Sequence, residues 1–77
     1  MAYDNRLTIL RRLRLLQGWG LVEFSKQHGF RYQELCDIER RRYVPSVRIR
    51  ERLAEIFGVP SDVLFEESGL ARLDSIK

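Results

Sequence analysis

Three consecutive arginines, Arg40, Arg41 and Arg42, close the stretch RYQELCDIERRRYVPS, whose middle carries Glu34, Asp37 and Glu39. Arginine suits phosphate oxygens because its planar fork donates in pairs. Carboxylates repel phosphates, so the two sets must have different jobs. A helix over residues 31–40 sorts them. Leu35 and Ile38 face a core, and Tyr32, Gln33, Glu34 and Asp37 then point outward. In a DNA major groove Gln33 can take adenine through two hydrogen bonds, and Tyr32 can touch a phosphate or a thymine methyl. Glu34 and Asp37 can accept from the cytosine amino group. The arginine run would clamp backbone phosphates beside such a helix. The blander reading is a solvated face ending in a cation cluster, which a helix C-terminus favours.

Nothing else in the chain makes a catalytic set. There is no glycine-rich phosphate loop and no nucleophile–base motif, so an enzyme has no support. His28 has no second ligand at zinc-like spacing and is expected at the edge of the core. Cys36 is expected to pack, and Trp19 to cap the core between the first two helices. No metal and no cofactor is expected.

These residues need elements to hold them. The chain has 77 residues, 44% hydrophobic and 32% charged, which describes one small folded domain without a large cleft. A formal net charge of +3 and a pI of about 9.5 suit a nucleic-acid partner without requiring one. Of the 14 basic residues only Lys26 and Lys77 are lysines. That bias fits bidentate phosphate contacts, a GC-rich genome or heat tolerance. The single cysteine excludes an internal disulfide, no apolar run approaches a membrane span, and MAYDNRLTIL lacks a signal-peptide layout. The expected location is the cytoplasm.

Apolar spacing and glycine stops predict five helices and no strand. The first runs from about Asn5 to Gln17, capped by Asp4 or Asn5, with Leu7, Ile9, Leu10, Leu13, Leu15 and Leu16 as its apolar face. The second runs from about Gly20 to His28 and stops at Gly29. The third runs from about Arg31 to Arg40, and RRRYVP follows as a loop. The fourth, from Ser46 to Phe57, is capped by Ser46 and stopped by Gly58, with Val47, Leu53, Ala54 and Phe57 as its stripe. The fifth starts at Pro60 or Ser61 and covers DVLFEE. The division is a domain over 1–66 and a tail over 67–77, a frayed extension or a docking arm. Val63, Leu64, Phe65 and Leu70 look more apolar than a short terminal helix needs, which suggests self-association.

Helix two, a tight turn at Gly29 and helix three have the layout of a helix-turn-helix. From Leu10 to Phe65 the chain resembles the Cro/CI-type (XRE-like) DNA-binding domains. Phe24, Ser25, Gly29, Phe30, Leu35 and Ile38 fall at the family's apolar or small positions. Arg14 and Glu39 sit where a structural pair would join helix one to helix three. RRRYVPS and FGVPSDVLF match the basic loop and the junction before helix five. The resemblance implies a compact all-α, lambda-repressor-like bundle and a dimer on two-fold-related double-stranded DNA. It makes Tyr32, Gln33, Glu34 and Asp37 the base readers. Gly20, Leu21, Arg31 and Tyr43 join Arg40, Arg41 and Arg42 as phosphate contacts. The chain departs from the pattern at Leu21, where the family often has Gln, at His28, at Arg41 in place of a glycine, and in its acidic third helix. Leu21 and the acidic face keep a second reading open: a protein-interaction module on the same fold, a polymerase adaptor or an antitoxin.

Overall fold

The computed structural model describes residues 7–74. Five helices follow one another: α1 Ile9–Leu16, α2 Leu21–His28, α3 Tyr32–Glu39, α4 Val47–Phe57 and α5 Ser61–Leu64. The described chain is all-α, and its extended pairings are two isolated antiparallel bridges, Thr8 with Leu73 and Phe65 with Ala71. No described helix is long and apolar enough to cross a membrane.

Several helix ends follow from local chemistry. Ser46 opens α4, its hydroxyl accepting from the Ile49 amide at 3.3 Å. Gly29 and Gly58 close α2 and α4 in left-handed backbone, with φ of 73° and 68°. Glycine enters that region without the steric cost a Cβ would bring. Gly29 to Arg31 form the short turn that joins α2 to α3.

Every helix contributes to one core: Leu10 from α1, Phe24 from α2, Leu35 and Ile38 from α3, Leu53 and Ala54 from α4, and Leu64 from α5. Phe24 is its aromatic centre. Its ring lies parallel to Phe30 and Phe57, at 6.1 and 5.5 Å, and Trp19 meets it edge-on at 6.3 Å. The His28 ring packs 4.6 Å from Phe24 and completes the edge of the cluster. Burying a side chain of this size contributes about 1.5–3 kcal/mol.

The first and last helices differ from the sequence expectation. Asp4 and Asn5 lie outside the described residues. Leu7 is not helical, and α1 opens at Ile9 with Thr8 as its cap, the hydroxyl accepting from the Arg11 amide at 3.2 Å. The cause is long-range. The Ile9 amide donates to the Arg72 carbonyl (2.9 Å) and the Asp74 amide to the Leu7 carbonyl (2.8 Å). Leu10 and Arg14, four residues apart, take the buried stripe of α1. Leu15 and Leu16, expected inside, are therefore exposed, Leu16 by 70%. Val47 is also exposed, because α4 reaches the core further along, at Leu53 and Ala54.

α5 ends at Leu64 rather than running through Glu67. Phe65 is extended, and the chain turns back over 66–70: the Glu66 amide donates to the Leu70 carbonyl (2.8 Å) and the Arg72 amide to the Leu64 carbonyl (2.7 Å). Gly69 makes the turn at φ 96°, where a Cβ would lie 2.6 Å from Val44 Cγ1. The segment expected as a frayed or docking tail is thus packed on its own domain through residue 74, with Ala71 fully buried. Leu64 and Phe65, read as surplus apolar surface, are in the core at 0% and 3% exposure.

Truncation after Glu67 would remove both bridges and the buried Ala71. It should lower stability by about 2–4 kcal/mol, read as an earlier and broader thermal transition by circular dichroism. An unchanged transition would mean that residues 68–74 add nothing to the fold.

Candidate nucleic-acid interface

Arg14 and Glu39 set the position of α3. The Arg14 Nε and Nη2 donate to the two Glu39 oxygens at 2.7 and 2.8 Å, and Nη1 donates to the Trp19 carbonyl at 2.8 Å. Each side chain of the pair is 7% exposed. The expected pair is present, and it is buried. Its two-point geometry ties the end of α1, the turn before α2 and the end of α3 together.

With Leu35, Ile38 and Glu39 buried, α3 turns its other side out. Tyr32 and Gln33 are exposed there, and Glu34 and Asp37 half-buried. Arg31, Gln33, Glu34, Asp37 and Tyr43 line an open concavity of about 320 Å³. Two hydrogen bonds organise it. Gln33 Nε2 donates to Asp37 Oδ1 at 3.2 Å, across one turn of α3. The Tyr43 hydroxyl donates to Glu34 Oε2 at 3.2 Å, from the loop after the helix. That hydrogen bond, with the negative charge of Glu34, raises the Tyr43 pKa above its ordinary value, since both favour the protonated phenol.

The phosphate set expected from the sequence divides. Arg40 and Arg42 are exposed, and like Arg31 they have no side-chain partner among the described residues. Gly20 is exposed at the start of α2, whose first turn has no side-chain cap. Arg41 is different. Its Nη2 donates to Glu66 Oε2 at 2.9 Å and its Nε to the Ala71 carbonyl at 3.0 Å. It is the described non-glycine residue with positive φ, 61°, which costs an L-residue about 1–2 kcal/mol. Its two charge-assisted bonds offset that strain. Arg41 therefore straps the exit of α3 to the C-terminal segment through its Nε and Nη2. Leu21 packs its side chain against the core and offers only its backbone amide. Tyr43 spends its one hydroxyl proton on Glu34, and a phosphate oxygen, itself an acceptor, cannot use the phenol at the same time.

Sequence reasoning missed a wider use of arginine. Arg50 donates to the Pro45 carbonyl, Arg52 to the His28 carbonyl, and Arg72 to the Asp62 and Phe65 carbonyls. Arg12 pairs with Asp74 at 2.7 Å. No spacing rule marks these partners, because each bond joins distant segments or caps a loop carbonyl. Among the described residues no cluster of His, Cys, Asp or Glu is arranged to hold a metal. Cys36 is half-buried. Comparison with protein-family models, curated proteins and solved structures finds no match for this chain.

Two measurements check the site. Glu39→Ala strands a buried guanidinium and should cost about 3–5 kcal/mol without any ligand. Glu39→Gln, which keeps an acceptor but not the charge, should fall between it and wild type in thermal melts. Separately, the Tyr43 ring followed by NMR should titrate above about pH 10, the ordinary tyrosine value, and drop toward it in Glu34→Ala. The bond is present at neutral pH and is lost as pH rises through the raised pKa. Identical titrations in both proteins would rule the contact out.

Proposed function

We propose that the chain is a sequence-specific DNA-binding transcriptional regulator of the Cro/CI type, with α2, the Gly29 turn and α3 as its helix-turn-helix. The observation that carries the reading is the outer side of α3: exposed Gln33 and Tyr32 beside Glu34 and Asp37, with unpartnered arginines before it (Arg31) and after it (Arg40, Arg42). Eight residues of helix span about 12 Å, close to the width of a major groove. Arginines at its ends then reach phosphates while the middle reaches base edges. The uncapped first-turn amides of α2 are suited to a phosphate oxygen as well.

A two-fold dimer goes with this reading. Leu64 and Phe65 cannot supply its surface, since they fill the protomer's own core. The second reading, a protein-interaction module, is favoured by one feature: Leu15, Leu16 and Val22 are each at least half exposed near the junction of α1 and α2.

The arginines separate the readings. Binding to a random-sequence duplex should weaken steeply with salt. Arg40→Ala and Arg42→Ala should each lower the salt slope by about one unit, the loss of one phosphate contact. Arg41→Ala should leave the slope unchanged and lower the melting midpoint, because its partners are Glu66 and Ala71. Salt-independent or absent duplex binding by wild type would move the interaction-module reading to the front.

A further inference from the structure

The two hydrogen bonds on the outer face of α3 have a consequence for which bases can be read. An ionised carboxylate has no proton to donate. Asp37 therefore accepts only from the N–H side of the Gln33 amide, as its 3.2 Å contact with Nε2 has it. Gln33 is left with its Oε1 acceptor and one Nε2 hydrogen directed away from Asp37. Adenine matches that set, since its major-groove edge offers the N6 amino donor and the N7 acceptor. Guanine does not, since O6 and N7 are both acceptors and need two donors. Without Asp37 both Nε2 hydrogens of Gln33 are free, and the side chain can direct its amino group at the guanine acceptors as well as pair with adenine.

The same logic holds one residue on. Tyr43 donates to Glu34 Oε2, which leaves Oε1 as the open acceptor. The cytosine N4 amino group is the major-groove donor that suits it. The two anchors come from different elements: Asp37 lies a turn further along α3, and Tyr43 in the loop behind it. Both line the same concavity as the residues they hold.

We propose that Asp37 and Tyr43 are positioning residues for specificity. Asp37 fixes the amide of Gln33 so that it selects adenine over guanine, and Tyr43 fixes the carboxylate of Glu34 so that it selects cytosine at a second position. This rests on the DNA-binding reading above. It also assigns Asp37 a role other than repelling phosphates, and Tyr43 a role other than clamping them. Holding the side chains in advance reduces the ordering cost at the moment of contact.

The test is selection from a pool of random-sequence duplexes, with sequencing of the bound fraction, for wild type, Asp37→Ala, Gln33→Ala, Tyr43→Phe and the Asp37→Ala/Gln33→Ala double variant. Asp37→Ala removes both the negative charge and the acceptor for Gln33, so affinity for the unselected pool should rise. Its adenine-over-guanine preference at one position should fall about tenfold, toward the level of Gln33→Ala. The double variant should lose nothing further at that position, the mark of two residues acting as one unit. Tyr43→Phe should relax the cytosine position while leaving affinity for the unselected pool unchanged. Asp37→Ala or Tyr43→Phe that keeps the wild-type selected sequence overturns the positioning roles while leaving DNA binding in place. Uniform weakening by Tyr43→Phe on every duplex makes Tyr43 a phosphate clamp instead. If wild type enriches no sequence at all, the DNA-binding reading fails, and this inference with it.

Discussion

The buried ion pair of Arg14 and Glu39 is the constraint on which the arrangement of this small domain depends. A guanidinium and a carboxylate, each 7% exposed, are stable in the interior only when the geometry is nearly ideal and the remaining donors are used. Here two parallel bonds join the charges and a third runs to the Trp19 carbonyl, so each guanidinium nitrogen has an acceptor. Such a pair adds little net energy over an apolar contact of the same size. Its effect is orientation, because rotating α3 would break both bonds at once and leave two buried charges. The outward side of α3 is thereby determined from within, by a residue on a different helix.

That orientation gives the arginines two classes of work. Six of them, Arg12, Arg14, Arg41, Arg50, Arg52 and Arg72, bond to carboxylates or to backbone carbonyls in loops and at helix ends. A guanidinium does this better than an ammonium because its fork reaches two acceptors in a set plane. Arg31, Arg40 and Arg42 have no such partner among the described residues. The arginine bias of the chain is therefore in good part a matter of holding loops and helix ends. Arg41 makes the contrast sharp, since it stands between two free arginines yet is turned inward by the backbone itself.

The C-terminal segment closes the domain. Residues 65–74 run back from α5 to the start of α1, so the beginning and end of the described chain are joined by the Thr8–Leu73 bridge and the Arg12–Asp74 pair. A chain this short has little apolar area to bury. Closing the bundle with backbone hydrogen bonds and Ala71 recruits residues that would otherwise be solvated.

Much of this was legible without coordinates. The 3–4 spacing of Leu35 and Ile38 and the stops and caps at Ser46, Gly29 and Gly58 are local patterns whose physics does not depend on the rest of the fold, whereas the pairing of Arg14 with Glu39, 25 residues apart, was legible only through the family resemblance. The local patterns were enough to place α2, α3 and α4, and to name the outward residues of α3. The start of α1, the early end of α5 and the inward turn of Arg41 were not legible, because each depends on partners more than twenty residues away or on a backbone reversal that competes with helix propensity. Thr8 leaves the helix it could have extended because Leu73 pairs with it. Phe65 leaves its helix because the core holds its ring and Ala71 its backbone. The left-handed turn at Arg41 tells the same story: only the folded chain brings Glu66 and the Ala71 carbonyl close enough to compensate a conformation that arginine does not choose.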